Sequence, residues 1–182
     1  RDAIFDAMLR KEVFGTSGPR IRPRLFAGWG LDAGLCEAND MIAQAYANGV
    51  PMGADLSASD QSAKPSFLAY AAKDPVGQKL EALHLIKGWI DAEGNMNSEV
   101  IPVASAEAGA DSLCQLYTDS SFDPSQSAYY YLRAVEPETA RWHTYDCAAV
   151  AEADRPEVCS NDAYPQTVRE MAWTSPIWYQ GQ

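Results

Sequence analysis

From Arg20 onwards, apolar residues recur at every second position in one short segment after another, and this alternation constrains the fold more than any other feature. In RIRPRLFAGW, Arg20, Arg22 and Arg24 alternate with Ile21, Pro23 and Leu25. An extended strand with that pattern sends charge to one face and apolar side chains to the other. Pro23 has no N–H to give to a ladder, so the strand must lie at a sheet edge or bulge there. PSFLAYAAKD reads as a second strand, and LEALHLIKGWIDAEGNMNSEVIPVA as two strands around an Asp-Ala-Glu-Gly-Asn turn. SLCQLYTD, SAYYYLRAVE and the closing AWTSPIWY extend the set. ANDMIAQAYANG reads as a short helix, capped by Asn39 or Asp40 and stopped by Gly49. DLSASDQSAKP and TDSSFDPSQS have the Ser, Asp and Pro content of surface connections. Many β segments with few helices between them predict a mainly β fold, an antiparallel β-sandwich-like domain, and oppose a parallel α/β sheet.

The opening RDAIFDAMLRK follows a different period. Ile4, Phe5, Met8 and Leu9 fall on one face of a helix. A helix of about eleven residues is marginal by itself, so the stripe calls for a neighbour to cover it. Neither an N-cap residue, an initiator Met nor a signal peptide precedes it. The chain therefore reads as the C-terminal part of a larger protein.

Charge narrows the partners. The net charge of -11 opposes binding to nucleic acid or to anionic membranes, because both repel an acidic surface. No run approaches the roughly 18 apolar residues of a membrane helix. Residues 1–24 nevertheless hold six basic side chains against three acidic ones. A cationic entry segment on an acidic body suits a contact with a second domain or an anionic ligand, chance clustering being the alternative.

Four cysteines, Cys36, Cys114, Cys147 and Cys159, include no CxxC pair, which disfavours structural zinc even with His143 close to Cys147. Two disulfides are predicted, Cys147–Cys159 across the acidic loop CAAVAEADRPEVC and Cys36–Cys114. They imply an oxidising compartment; four buried free thiols in a cytosolic protein would remove that argument.

RDAIFDAMLRKEVFGTSGPRIRPRLFAGW, GVPMGADL, LHLIKGWIDAEG, YTDSSFDPSQSAYYYLRAVE and AWTSPIWY together resemble the C-terminal part of a bacterial family catalogued as a domain of unknown function, number 3604. That family is similar to the PHP (polymerase and histidinol phosphatase) metal-dependent hydrolases, whose N-terminal part is a distorted β/α barrel. The resemblance makes residues 1–18 the counterpart of the last helix and strand of the barrel, and residues 19–182 a β-sandwich-like appendage. It implies a periplasmic or secreted protein, because members commonly carry secretory signals. It also implies divalent metal ions held by His, Asp and Glu in the upstream barrel, activating water against a phosphoester or related ester. Here the chain departs from the family's pattern, with only His84 and His143 and no HxH pair. The main ligands would lie upstream, no cofactor would sit in this chain, and the chain alone would be inert.

In FGTSGPR, Thr16 and Ser17 offer hydroxyls and N–H groups and Arg20 a guanidinium, a set that suits a small anionic substrate at a barrel mouth. The plainer alternative is a turn between domains. DAEGNMNSE superficially suits calcium, but its spacing fits a hairpin turn better. GTSG departs from the G-x-S-x-G nucleophile elbow. His84, within a strand, reads as structural, and His143 beside Trp142 is open. The five tryptophans, with Tyr129, Tyr130 and Tyr131, could form a carbohydrate platform or a core. Alternation puts Tyr129 and Tyr131 on one face and Tyr130 on the other, so the triplet is not a single stripe. Two readings result: an appendage of a PHP-like hydrolase that supports the active-site mouth and offers an oligomer interface, or a non-catalytic glycan-binding or assembly module.

Overall fold

A computed structural model describes residues 1–59 and 63–181. Helix α1 (Asp2–Leu9) leads into β1 (Phe14–Thr16) and β2 (Arg22–Trp29), then helix α2 (Met41–Asn48) and the short β3 (Val50–Pro51). β4 (Pro65–Ala72), β5 (Leu80–Ile90), β6 (Met96–Ala110), β7 (Ser112–Thr118) and β8 (Ala128–Ala140) follow. Helix α3 (Trp142–Ala149) separates β8 from β9 (Thr167–Thr174) and β10 (Ile177–Tyr179). One sheet has the order β1-β9-β8-β5-β6, with β10 also paired to β8; the other is β3-β2-β4-β7. Every ladder between these strands is antiparallel.

The two sheets face each other, as the alternation predicts. Leu25 and Ala27 of β2 and Phe67, Ala69 and Ala71 of β4 share one core with Leu83 and Leu85 of β5 and with Tyr130, Leu132 and Ala134 of β8. The Phe67 and Tyr130 rings meet across the gap, centroids 4.3 Å apart. A second core lies on the outer side of the smaller sheet, where Phe26 and Leu68 pack against Leu31, Leu35 and Ala45. Since β2 and β4 are buried on both faces, LFA and FLA lose the alternation that their flanks keep. Pro23 sits where the sequence requires: the Leu25 carbonyl accepts from Met52 N–H on the β3 side, and Pro23, two residues earlier, turns its nitrogen beyond the end of β3.

Both expected disulfides are present. Cys36–Cys114 ties the 3-10 turn Leu35–Glu37 to β7 over the second core, with Cα atoms 5.8 Å apart. Cys147–Cys159 ties α3 to a 3-10 turn at Glu157–Cys159, with Cα atoms 5.6 Å apart. The helix that carries Cys147 is a departure from the sequence reading, which had a loop there. The expected TDSSFDPSQS surface connection also departs in part, because Asp119 and Phe122 are buried. Residues 60–62 of the DLSASDQSAKP connection lie outside the described residues. No helix among the described residues is long and apolar enough to cross a membrane.

The N-terminal segment divides into two parts. β1 is an edge strand of the larger sheet, in register with β9 from Phe14↔Thr174 to Thr16↔Ala172. α1 buries no residue. Its exit is nonetheless fixed: Glu12 N–H reaches Ala7 O and Lys11 N–H reaches Met8 O, a Schellman closure. Lys11 takes the left-handed position (φ 59°) that glycine usually fills. Its carbonyl lies so close to Gly53 (φ 89°) that no Cβ fits there.

Under denaturing, non-reducing conditions no thiol should titrate. Replacing Cys36 and Cys114 by Ser should cost about 4 kcal/mol in chemical unfolding, and replacing Cys147 and Cys159 about 3 kcal/mol, because the first bridge closes the longer loop. Free thiols in the native protein, or the reverse order of costs, would contradict the pairing.

Candidate functional site

The most polar feature of the interior is a carboxylate in the apolar core. Asp119 is fully buried and accepts four hydrogen bonds. Lys87 Nζ and Tyr130 Oη each donate to Oδ2 at 2.7 Å. Ser121 donates its N–H at 2.9 Å and its hydroxyl at 2.7 Å to Oδ1. Burial alone would raise the Asp119 pKa, but the donations from Lys87, Ser121 and Tyr130 outweigh it and hold the pKa below the ordinary value. For Tyr130, burial and then the Asp119 charge push the phenol the other way, so it stays a donor. The Lys87 ammonium also lies 5.3 Å from the Trp89 ring centre. Every lone pair of the carboxylate has a protein partner, the mark of a structural ion pair.

This anchor sets the end of the sandwich. Phe122 follows Ser121 by one residue and packs edge-on against Trp29 and Tyr179, at 5.6 and 4.8 Å. Tyr179 in turn donates to Pro124 O. β10 is thereby held on β8, in register Trp178↔Tyr129.

Above that register a groove of about 550 Å³ opens on the outer face of the larger sheet. The Tyr129 ring covers Gly88 of β5 so closely that a side chain at Gly88 would collide with it. Trp178, 43% exposed, stands beside it with ring centres 5.5 Å apart. The Tyr131 ring is 6.4 Å from that of Tyr129, the planes 13° apart. One wall is the β5–β6 hairpin. There the Asp91 carboxylate gathers the N–H groups of Glu93 and Asn95 and the side-chain amides of Asn95 and Asn97. Those bonds hold the Asp91 pKa below its ordinary value. The expected hairpin turn is thus what Asp91–Asn95 forms.

Thr16, Ser17 and Arg20, the anion-binding candidates, lie on and just beyond β1. Ser17 uses its N–H on Met171 O, its hydroxyl donates to Glu170, and Met171 N–H donates to Ser17 Oγ. Arg20 gives its backbone N–H to Asp74 Oδ2 at 2.7 Å, and its guanidinium lies 3.6 Å from the same atom. The carboxylates of Glu170 and Asp74 thus stand where an anion would look for donors. Thr16 pairs with Ala172. Neither carboxylate could be placed from the local motif, because Glu170 is 153 residues from Ser17.

Nearby, Glu136 is 3% exposed, and its Oε1 has no partner among the described residues. Burial, reinforced by the charges of Glu170 and Asp74, raises its pKa. His84 of β5 meets the Arg133 guanidinium at 3.1 Å through Nδ1. Burial and then the Arg133 charge lower its pKa, so it is neutral at pH 7. His143 is buried on α3, flanked by exposed Trp142 and Tyr145. No group of three His, Cys, Asp or Glu side chains among the described residues converges to hold a metal ion.

Asp119→Ala should destabilise the protein by about 3–5 kcal/mol, because Lys87 is left buried without its partner. As pH falls from 3.8 through the depressed folded-state pKa, the wild type should progressively lose the stability that comes from Asp119 being ionised, since a depressed folded-state pKa stabilises only while the group is charged. Glu136 has the opposite sign. Its raised pKa favours folding below 4.5 and opposes it once pH passes the folded value, so Glu136→Gln should raise the melting temperature at pH 7 but not at pH 4. Thermal melts at both pH values check this, and destabilisation by Glu136→Gln at pH 7 would contradict it.

The model of the family described as protein of unknown function (DUF3604) matches residues 1–108 and 103–181, nearly the whole chain. No curated protein and no solved structure matches. The chain belongs to the DUF3604 family.

Proposed function

We propose that this DUF3604 chain is the docking and support module of a PHP-like metal-dependent hydrolase, acting outside the cytosol on phosphoesters or related esters. The observation that carries the reading is the bare stripe of α1. Ile4, Phe5, Met8 and Leu9 are 68%, 60%, 63% and 66% exposed. Burying each such side chain is worth roughly 1.5–3 kcal/mol, so the helix forgoes a large stabilisation unless another surface covers it.

Three features support a covered stripe over a frayed end. The Schellman closure at Lys11 fixes the direction in which α1 leaves the body. Ser175 N–H holds Val13 O, and the Tyr46 hydroxyl donates to Glu12, so the segment after the helix is fastened to the sandwich. Within residues 1–24 basic side chains also outnumber acidic ones six to three, the excess coming from Arg20, Arg22 and Arg24 on the segment after the helix, which suits a partner surface with an acidic rim. The catalytic barrel fills that role. It would bring the His, Asp and Glu ligands and the divalent metal that supplies an activated water. The part of this chain is to seat the barrel through α1 and to set β1 and the Ser17–Arg20 turn beside its mouth. Two disulfides suit an oxidising compartment such as the periplasm or the exterior.

In the complete protein, Ile4→Glu combined with Met8→Glu should expose the Arg10–Lys11 bond to trypsin. It should also lower manganese-dependent hydrolysis of p-nitrophenyl phosphate at least tenfold while leaving the melting of the sandwich unchanged. Equal cleavage and equal turnover in variant and wild type would contradict the docking role. A complete protein without metal-dependent esterase or phosphatase activity would contradict the hydrolase role.

A further inference from the structure

We propose that the groove between β10 and the β5–β6 hairpin binds a neutral saccharide, with one sugar ring stacked on Trp178 and Tyr129. A pyranose has a flat face of C–H groups and a rim of hydroxyls, so its binding site needs an exposed aromatic surface edged by short polar side chains. Both parts are present.

The aromatic part is built and held open. Gly88 has no side chain, which lets the Tyr129 ring lie down across β5. Trp178, 43% exposed, closes an angle of 53° with that ring and forms a corner in which a sugar can touch both. β10 cannot drift from its place. Trp178 donates its backbone N–H to Ala54 O and accepts from Leu56 N–H, while Trp178↔Tyr129 pairing holds the other side.

The polar part has matching chemistry. Asn97 spends its amide N–H groups on Asp91 and on Asn95 O, which presents Oδ1 as an acceptor for a hydroxyl. Asp55, exposed at the rim, supplies a carboxylate, and Ser127 and Gln180 supply donors as well as acceptors. Among the described residues lining the groove, Lys11 and Asp55 are the only charged ones, and their charges cancel. The site therefore has no attraction for an anion, and the chain's net charge of -11 repels one. A volume of about 550 Å³ accommodates one or two sugar units. The two rings reach the groove from different strands, so no local motif encodes it. The assignment stands apart from the docking of α1, and failure of either leaves the other intact.

The test is affinity electrophoresis of the complete protein in gels containing hydroxyethylcellulose, xylan, mannan, laminarin or glycogen, with polygalacturonate as the anionic comparison. Tryptophan emission is followed with the oligosaccharide of whichever polymer retards migration. The expected result is retardation by at least one neutral polymer and not by polygalacturonate. Binding should weaken at least tenfold in Trp178→Ala and in Tyr129→Ala, and stay unchanged in Trp142→Ala, whose ring is exposed elsewhere. Trp178→Phe keeps an aromatic face and should bind within about threefold of wild type, which separates loss of stacking from loss of fold. Retardation by no neutral polymer, by polygalacturonate alone, or equally by wild type and Trp178→Ala would overturn the proposal. So would a change of oligomeric state in Trp178→Ala without a change in saccharide binding, because the groove would then be a protein contact.

Discussion

A single carboxylate holds the closed end of this sandwich together. Asp119 lies between the sheets, where an unpaired charge would cost several kcal/mol, and its four hydrogen bonds come from three parts of the architecture. Lys87 comes from β5, Tyr130 from β8 and Ser121 from the loop itself. Because Asp119 is pinned, Phe122 can plug the end of the core, and Tyr179 and Trp29 close round it. β10 then lies beside β8, and the Trp178–Tyr129 corner follows. An ion pair in the interior thus determines the shape of a groove on the outer face.

Much of the fold could be read from the chain, for a physical reason that also marks the limits. Alternation reports a strand with one wet face, so β5, β6, β8 and the start of β2 were legible. β4 was legible by its β-favouring run and its flanks, even though α2 and the Cys36–Cys114 bridge dry its outer side. α3 was not. WHTYDCAA has no apolar stripe, and its Thr, Tyr, Asp, Cys and His are weak helix formers. The helix is held by long-range bonds, the Cys147–Cys159 bridge and the Thr144 hydroxyl on Gln166 O. Asp119 and Phe122 looked like loop residues because Ser, Asp and Pro surround them, and local composition cannot report burial by a distant strand.

The same limit governed the candidate sites. Thr16, Ser17 and Arg20 attracted notice as a local cluster of donors, whereas Glu170 and Asp74, which engage Ser17 and Arg20, come from far along the chain. Alternation separates Tyr130 from Tyr129 and Tyr131, and the structure turns Tyr130 inward and the other two outward. That Gly88 and Trp178 complete a groove with Tyr129 depends on strand register, which no single segment contains. The stripe of α1 was the feature most legible from sequence, and the structure leaves it the least satisfied, since no side chain of that helix is buried.

On this proposal α1 is aimed at a partner surface of the same protein and gains its order there. An eight-residue helix without buried contacts should be marginal in water. Hydrogen–deuterium exchange, compared between the 182-residue chain and the complete protein, tests this most directly. The amides of Phe5 to Leu9 should exchange almost freely in the chain alone and become protected in the complete protein, while those of β5 and β8 should be equally protected in both. Equal exchange of the α1 amides in the two proteins would contradict it.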